Sequence, residues 1–230
     1  MGFTINATSE SSNPVDLDLT LVPSCKALFK FGGTAANSLK NLITGAVSAN
    51  TDKVTVSENG MVVNTPFHLD PAVTNMKTYL AVFNSNTLPS AQFATTYIVG
   101  QEFDYISLRT INMTANSRNM EVILGAATSY LALSEANVYV GNNICFITVD
   151  STSKIAKLHY FVDGVHEVVP MDYSASTVAA NAKIEPYIGL NAGNKHYEQA
   201  YFNEILSDAT IEKYYAVLKK VYARKGIVIN

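Results

Sequence analysis

The stretch "QEFDYIS" sets Glu102 and Asp104 two residues apart, which puts both carboxylates on one face if the stretch is a strand. Glycoside hydrolysis uses such a pair, two carboxyls flanking the bond, about 5–5.5 Å apart in retaining enzymes. A second pair of candidates lies in "KLHYFVDGVHEVV". On a hairpin, His159 and His166 become diagonal neighbours roughly 7–8 Å apart. They could join a metal site only with further ligands, and they are read as strand-face histidines beside Phe161 and Val168. No metal or cofactor is expected. Cys25 and Cys145 match no metal spacing and no CxxC motif. They are read as free, buried thiols, Cys145 within the strand-like "NNICFITVD". Ser and Asp are too common in the chain for a Ser-His-Asp set to stand out.

Recognition chemistry points to loops. Sugar sites combine an aromatic platform with Asn, Asp or backbone groups, and loops on a rigid β scaffold are where binding usually sits. The chain has no Trp but 13 Tyr. "MDYSAS" (171–176) offers Asp172 and Tyr173, and "NAGNKHYE" (191–198) offers Asn191, Asn194, Lys195, His196 and Tyr197. Asp172, Tyr173, Asn191, Asn194, His196 and Tyr197 are the ligand-binding candidates.

The elements that must position these residues are mostly strands. "VDLDLTLV" (15–22) alternates Leu with Asp and Thr, the period of a half-buried strand. "ALFKF" is a second strand, closed by Gly32-Gly33. "TAANSLKNLITGA" reads as loop with one helical turn. "KVTVS" and "MVVNT" flank Glu58-Asn59-Gly60 and predict a hairpin. Further strands are predicted at 77–83, 96–100, 105–111, 120–126, 137–141 and 144–150. The clearest signal is Asp163-Gly164 between Val162 and Val165. A two-residue Asp-Gly loop favours a type I′ turn. It would pair Val162 with Val165, Phe161 with His166, Tyr160 with Glu167 and His159 with Val168. Leu158, Tyr160 and Val162 then share one face, and His159, Phe161, His166 and Val168 the other.

A helix is predicted over 207–226. Ser207 is a suitable N-cap, Asp208 places negative charge in the first turn, and Gly226 is a C-terminal stop. The capping box is incomplete, because Thr210 stands where Glu or Gln would complete it. Ile211, Tyr214, Tyr215, Leu218, Val221 and Tyr222 form one apolar stripe. The stripe must be buried, on the chain's own sheet or on another subunit, and its own sheet is the expected seat, with Ile227 to Ile229 adding a short edge strand.

Many short strands separated by turn residues predict an all-β, antiparallel two-sheet β-sandwich (jelly roll) with a C-terminal amphipathic α-helix. The division expected is a flexible arm over 1–14 and a single domain over 15–230. The 230 residues are 48% hydrophobic and only 15% charged, with net charge −3. The charged share is well below the roughly 25% of an average domain, so Asn, Ser and Thr supply much of the polar surface. The cluster Lys219, Lys220, Arg224 and Lys225 falls at the end of the helix, where it complements the dipole. No basic block interleaves with aromatics, which argues against nucleic-acid binding. No run of 18 apolar residues or signal-peptide pattern is present.

Three segments in order, "LHYFVDGV", "EPYIGLNAG" and "QAYFNEILSDATIEKYY", resemble the closing section of concanavalin A-like, laminin-G-like jelly rolls. The matches are Tyr160 to Gly164, Tyr187 to Gly189 and Glu204 to Ile211. The sequence departs from the family pattern around Ala200, where Gly is usual, and at Thr210, where Glu is usual. The opening "ALFKFGG…NSLKNLITG" and the ending "KKVYARKGIVI" are similar to phage tail and virion modules of this fold. The resemblance implies a non-catalytic module recognising glycan or a protein partner, carried on a virion made in the host cytoplasm and joined to other virion subunits, with a homotrimer as the usual assembly. A purely structural decoration or fibre-joining subunit is the alternative, and a polysaccharide-cleaving enzyme the second. Against the enzyme, the glucanase pattern wants a further Glu at 106 or 107, where this chain has Ile106 and Ser107.

Overall fold

In the computed structural model of the chain, residues 18–65, 67–69, 73–84, 92–98, 101–111, 119–124, 127–129, 141–172, 174, 183–188 and 195–229 are described. Residues 68, 73–74, 92–98, 101–111, 119–124, 127–129 and 183–188 are described by backbone only. The expected arm over 1–14 lies outside them.

The first elements are β1 (Cys25–Lys30), α1 (Ala35–Ser38), β2 (Val54–Ser57), β3 (Gly60–Val63), β4 (Phe67–His68), β5 (Val73–Thr74) and β6 (Thr78–Asn84). Next come β7 (Gln92–Ile98), β8 (Gln101–Ile111), β9 (Asn119–Leu124) and β10 (Ala127–Ser129). The chain continues through β11 (Asn142–Asp150), β12 (Ile155–Val162), β13 (Val165–Asp172), β14 (Lys183–Ile188) and β15 (His196–Phe202), and reaches α2 (Asp208–Arg224). They build two antiparallel sheets. The first runs β13-β12-β11-β6-β15-β3-β2, with β1 also paired to β15; the second runs β10-β9-β8-β7-β14-β4, with β5 also on β14.

The Asp163-Gly164 turn forms as its residues dictate. Asp163 and Gly164 have φ of 51° and 81°, the two left-handed positions of a type I′ turn. The register is Val162 to Val165, Phe161 to His166, Tyr160 to Glu167 and His159 to Val168. The β2–β3 hairpin also forms, with Ser57 opposite Gly60. A Cβ on Gly60 would stand 3.1 Å from the Tyr197 ring, so glycine lets β15 lie close there.

Of the strand predicted over 15–22, residues 15–17 lie outside the described ones, and the rest is not strand. Leu19–Leu21 is a 3-10 turn, because the Asp18 carboxylate accepts from the Thr20 backbone N–H at 3.0 Å. A short polar side chain that captures a nearby amide diverts it from a ladder. Of the strand predicted at 137–141, residues 137–140 lie outside the described ones, and Gly141 is a bend.

The central strands of the first sheet, β11, β6 and β15, are buried on both faces. One face carries Phe29, Tyr79, Phe83, Ile147, Leu158 and Tyr201, clustered with Phe67 of the second sheet. The other carries Leu28, Leu80, Val82, Phe146, Phe161 and Phe202, clustered with Ile211, Tyr214, Tyr215, Leu218 and Tyr222 of α2. The helix therefore docks on its own sheet. Each large side chain so buried contributes roughly 1.5–3 kcal/mol, which outweighs the helix's intrinsic propensities.

Both ends of α2 are capped. Ser207 Oγ accepts from the Thr210 N–H at 3.3 Å and lies 2.9 Å from the Thr210 hydroxyl, so Thr210 answers the cap without the carboxylate of a full box. At the other end Gly226 has φ 73°, and the Gly226 and Ile227 N–H groups donate to the Ala223 and Tyr222 carbonyls, a Schellman closure. Beyond it Ile229 makes a single parallel bridge to Asn142, less than the predicted edge strand.

Cys25 and Cys145 belong to the two opposite faces and are unpaired. Burial pushes the Cys25 thiol up to about 12 and Cys145 higher still, so neither is a nucleophile at neutral pH.

Candidate functional site

The helix covers only part of the outer face of the first sheet. Where α2 begins, a cleft of about 270 Å³ opens between the sheet and the helix start. Strands β11 and β12 and the turn joining them supply Thr148, Asp150, Ser153, Ile155, Lys157 and His159. The approach to the helix supplies Ile205, Leu206 and Asp208. Alternation explains the strand set: residues two apart share a face, and 155, 157 and 159 follow one another on the helix side of β12. Lys157 and Asp208 are exposed, Ile155 is half-buried, and Ile205 is 45% exposed.

At the inner end of the cleft is a hydrogen-bonded chain. The Thr148 hydroxyl lies 3.1 Å from His159 Nε2, and His159 Nδ1 lies 3.1 Å from His166 Nε2. His166 Nδ1 lies 3.1 Å from Glu212 Oε1, and Asp208 Oδ1 stands 3.8 Å from His159 Nδ1. The rings stack as well: His166 on Phe161 with centroids 4.9 Å apart, and Phe161 on Tyr215 at 3.6 Å. Burial first, and then His166, pull the His159 imidazole down to about 4, with Asp208 opposing. His159 is therefore neutral at pH 7. Asp150 accepts from the Thr152 N–H at 2.9 Å and the Ser153 hydroxyl at 2.7 Å. Those bonds hold its carboxyl below the usual range.

The sequence candidates fall in three groups. Asp172 ends β13 directly opposite Ile155, so it lies on the cleft face, exposed, with its carboxylate capping the Ser174 N–H at 2.7 Å. Tyr173, Asn191 and Asn194 lie outside the described residues. His196 and Tyr197 require a correction: they are the start of β15, not loop, and are 1% and 6% exposed. Phe31 meets His196 edge-on at 6.0 Å, and the Tyr197 hydroxyl donates to Asn142 at 2.9 Å. Burial pulls His196 down to about 3. Glu102 and Asp104 are on β8 of the second sheet, where the register passes from Ile98–Gln101 to Tyr97–Tyr105. They sit in that irregularity, so regular alternation does not set their faces; their side chains lie outside the described ones. Thr148 and Glu212 were not singled out from sequence, and Asp208 only as a charge in the first turn of the helix. Glu212 is 46 residues from its partner His166, and no local pattern joins them.

Among the described residues no group of three or more His, Cys, Asp or Glu side chains could hold a metal. No described helix is long and apolar enough to cross a membrane.

No protein-family model matches the sequence, and no curated protein matches it. Among solved structures the chain is similar to Trypanosoma rangeli sialidase, with TM-score 0.56 and 12% identity over 86% of this chain and 33% of the sialidase. A second structure, that sialidase in complex with sialic acid, gives TM-score 0.53 and 14% identity over 82% of this chain and 32% of the other. Lectin UEA-II complexed with galactose aligns at TM-score 0.43 and 9% identity, over 78% of this chain and 99% of the lectin. The chain thus spans about a third of the length of the sialidases. At these identities the likeness shows the fold: the concanavalin A-like jelly roll.

Proposed function

We propose that the chain is a non-catalytic module that takes up a glycan in the cleft at the start of α2. The observation that carries the reading is the make-up of that cleft. Charged and hydroxyl groups (Lys157, Ser153, Asp150, Asp208) face the apolar side chains Ile155 and Ile205. A saccharide needs both, hydrogen-bond partners for its hydroxyls and apolar contact for its C–H faces. The volume is just under the roughly 300–1,000 Å³ of small-ligand pockets and suits one sugar unit. That a sialidase sharing this fold over about a third of its length is known in complex with sialic acid makes sugars the first ligand class to test.

Catalysis has less support. The Glu102–Asp104 pair belongs to the second sheet, whereas the cleft is on the first. In the cleft, Asp150 is fixed by its turn and held ionised, so it is not the protonated acid that glycoside hydrolysis requires. The finer reading, a module carried on a virion, rests on the likeness of the opening and closing segments to phage tail modules.

The test is a glycan array with the full chain, followed by titration of any hit against Lys157→Ala and Ile205→Ala. Each variant is expected to weaken binding about tenfold, the worth of roughly 1.4 kcal/mol. A folded sample that binds no glycan overturns the proposal. So does a glycan whose binding ignores both variants.

A further inference from the structure

Two imidazoles that share one hydrogen bond hold one proton between their facing nitrogens. His159 Nδ1 and His166 Nε2 are such a pair at 3.1 Å. The outer contacts fix which nitrogen holds what. Glu212 Oε1, 3.1 Å from His166 Nδ1, is a carboxylate oxygen and can only accept, so His166 Nδ1 carries a proton. With both rings neutral, His166 Nε2 is then the acceptor, His159 Nδ1–H donates to it, and His159 Nε2 accepts from the Thr148 hydroxyl. One proton added to the pair is absorbed without breaking the chain. His166 Nε2–H then donates to His159 Nδ1, and His159 donates through Nε2 to Thr148. A second added proton cannot be absorbed, because two N–H groups would face each other at 3.1 Å, both on cations.

An alternative acceptor is already in place. Asp208 Oδ1 stands 3.8 Å from the same His159 Nδ1, on the first turn of α2, and its side chain is 61% exposed. We propose that His159 and His166 form a proton-operated partner exchange: with no more than one added proton they bond to each other, and with the second His159 turns to Asp208. The exchange replaces one histidine–histidine bond with one new ion pair, His159 with Asp208, beside the His166–Glu212 pair that the first proton has already made. It draws the start of α2 toward β12. Because His159 and Asp208 both line the cleft, it narrows in acid. The charged groups around the pair are Lys157 on β12 and Asp208 and Glu212 on α2; β11 contributes the neutral Thr148, and Phe161 and Tyr215 close the stack. Lys157 opposes a second proton and Asp208 favours it. The device holds whether or not the cleft takes a glycan.

Nuclear magnetic resonance of the full chain with ¹⁵N-labelled histidine, titrated from about pH 8 to pH 3.5, tests it. Variants His166→Gln and Asp208→Asn assign the signals, with circular dichroism at pH 7 as the folding control. Wild type is expected to show two steps for the pair, separated by at least about one pH unit, as for strongly coupled sites. Asp208→Asn is expected to move the lower step further into acid by about half a unit and leave the upper step in place. His166→Gln is expected to leave a single His159 step at higher pH. Coincident steps in wild type, or a lower step indifferent to Asp208→Asn, overturn the proposal. Should His166→Gln fail to fold, the Asp208→Asn comparison decides alone, since Asp208 is exposed.

Discussion

The two ends of α2 rest on the same sheet over titratable groups of opposite sense. At the N-terminal end, His159 is 1% exposed and hydrogen-bonded on both ring nitrogens. At the C-terminal end, Glu198 of β15 is 2% exposed, with Oε2 accepting from the Tyr222 hydroxyl at 2.9 Å and Oε1 buried with no hydrogen-bond partner among the described residues. Desolvation disfavours charge at both places. It pulls the histidine down to about 4, and it pushes the glutamate above its usual range against the opposing pull of Lys30, Tyr222 and Lys225. One physical cause thus makes one end of the helix sensitive to acid and the other sensitive to base.

Between them lies an aromatic seat. Phe161 and Tyr215 stack at 3.6 Å with planes 6° apart, and Tyr215 also takes the Lys219 ammonium over its face at 5.4 Å. If this middle holds the helix and the ends only modulate it, Tyr215→Ala is the most damaging single change. The expected loss is about 3–5 kcal/mol, the range for emptying a buried aromatic site, read by urea unfolding at pH 7. A loss under about 1 kcal/mol would transfer the dominant role to the ends.

The next largest effect is the pH profile. His159 has a folded value of about 4 against an ordinary 6.5, so the unfolded chain binds that proton more readily. Its contribution is complete above pH 6.5 and lost as pH falls toward 4, on the order of 2 kcal/mol with allowance for partial solvent access. His196, held down to about 3 by burial, adds loss of the same sign. Glu198 works the other way: its folded value is raised above 4.5, so its contribution is present below pH 4.5 and lost as pH rises through the raised value. Unfolding measured from pH 4 to pH 9 is expected to show an optimum between the two limbs. Glu198→Gln should flatten the upper limb and leave the acid limb unchanged. An unaltered upper limb would remove Glu198 from the comparison.

Legibility in the sequence followed how local each cause is. The Asp163-Gly164 turn fixed the register of β12 and β13 from two residues, and the stripe from Ile211 to Tyr222 fixed the buried face of α2. The strand predicted over 15–22 gives way, in its described part from Asp18 to Val22, to a cause equally local, the Asp18 side chain closing on Thr20. The start of β15 was misread for a different reason. "HYE" looks like a loop because polar residues are seldom buried. Here both faces of the central strand are covered, so His196, Glu198 and Gln199 lie inside at 2% exposure or less. The cleft was the least visible feature. His159 was in view, but Thr148, Asp208 and Glu212 reach it from a neighbouring strand and from a helix 46 or more positions away in sequence from His159 or His166. Only the docking of α2 brings them together.

The smallest effects separate the two ends most cleanly, because caps act within a single turn. Ser207→Ala removes the oxygen that accepts from the Thr210 N–H, at a cost of about 1 kcal/mol. Gly226→Ala places a side chain at φ 73°, where nothing lies within 4 Å of the added Cβ. Its cost, roughly 1–2 kcal/mol, is therefore conformational alone. Amide exchange is the measurement, since global unfolding would blur the two. Ser207→Ala should speed exchange at residues 210–213 and spare 222–227, and Gly226→Ala should do the reverse. If either variant loosens both ends equally, α2 lifts from the sheet as one rigid unit. The acid-sensitive and base-sensitive ends would then be one transition with two triggers.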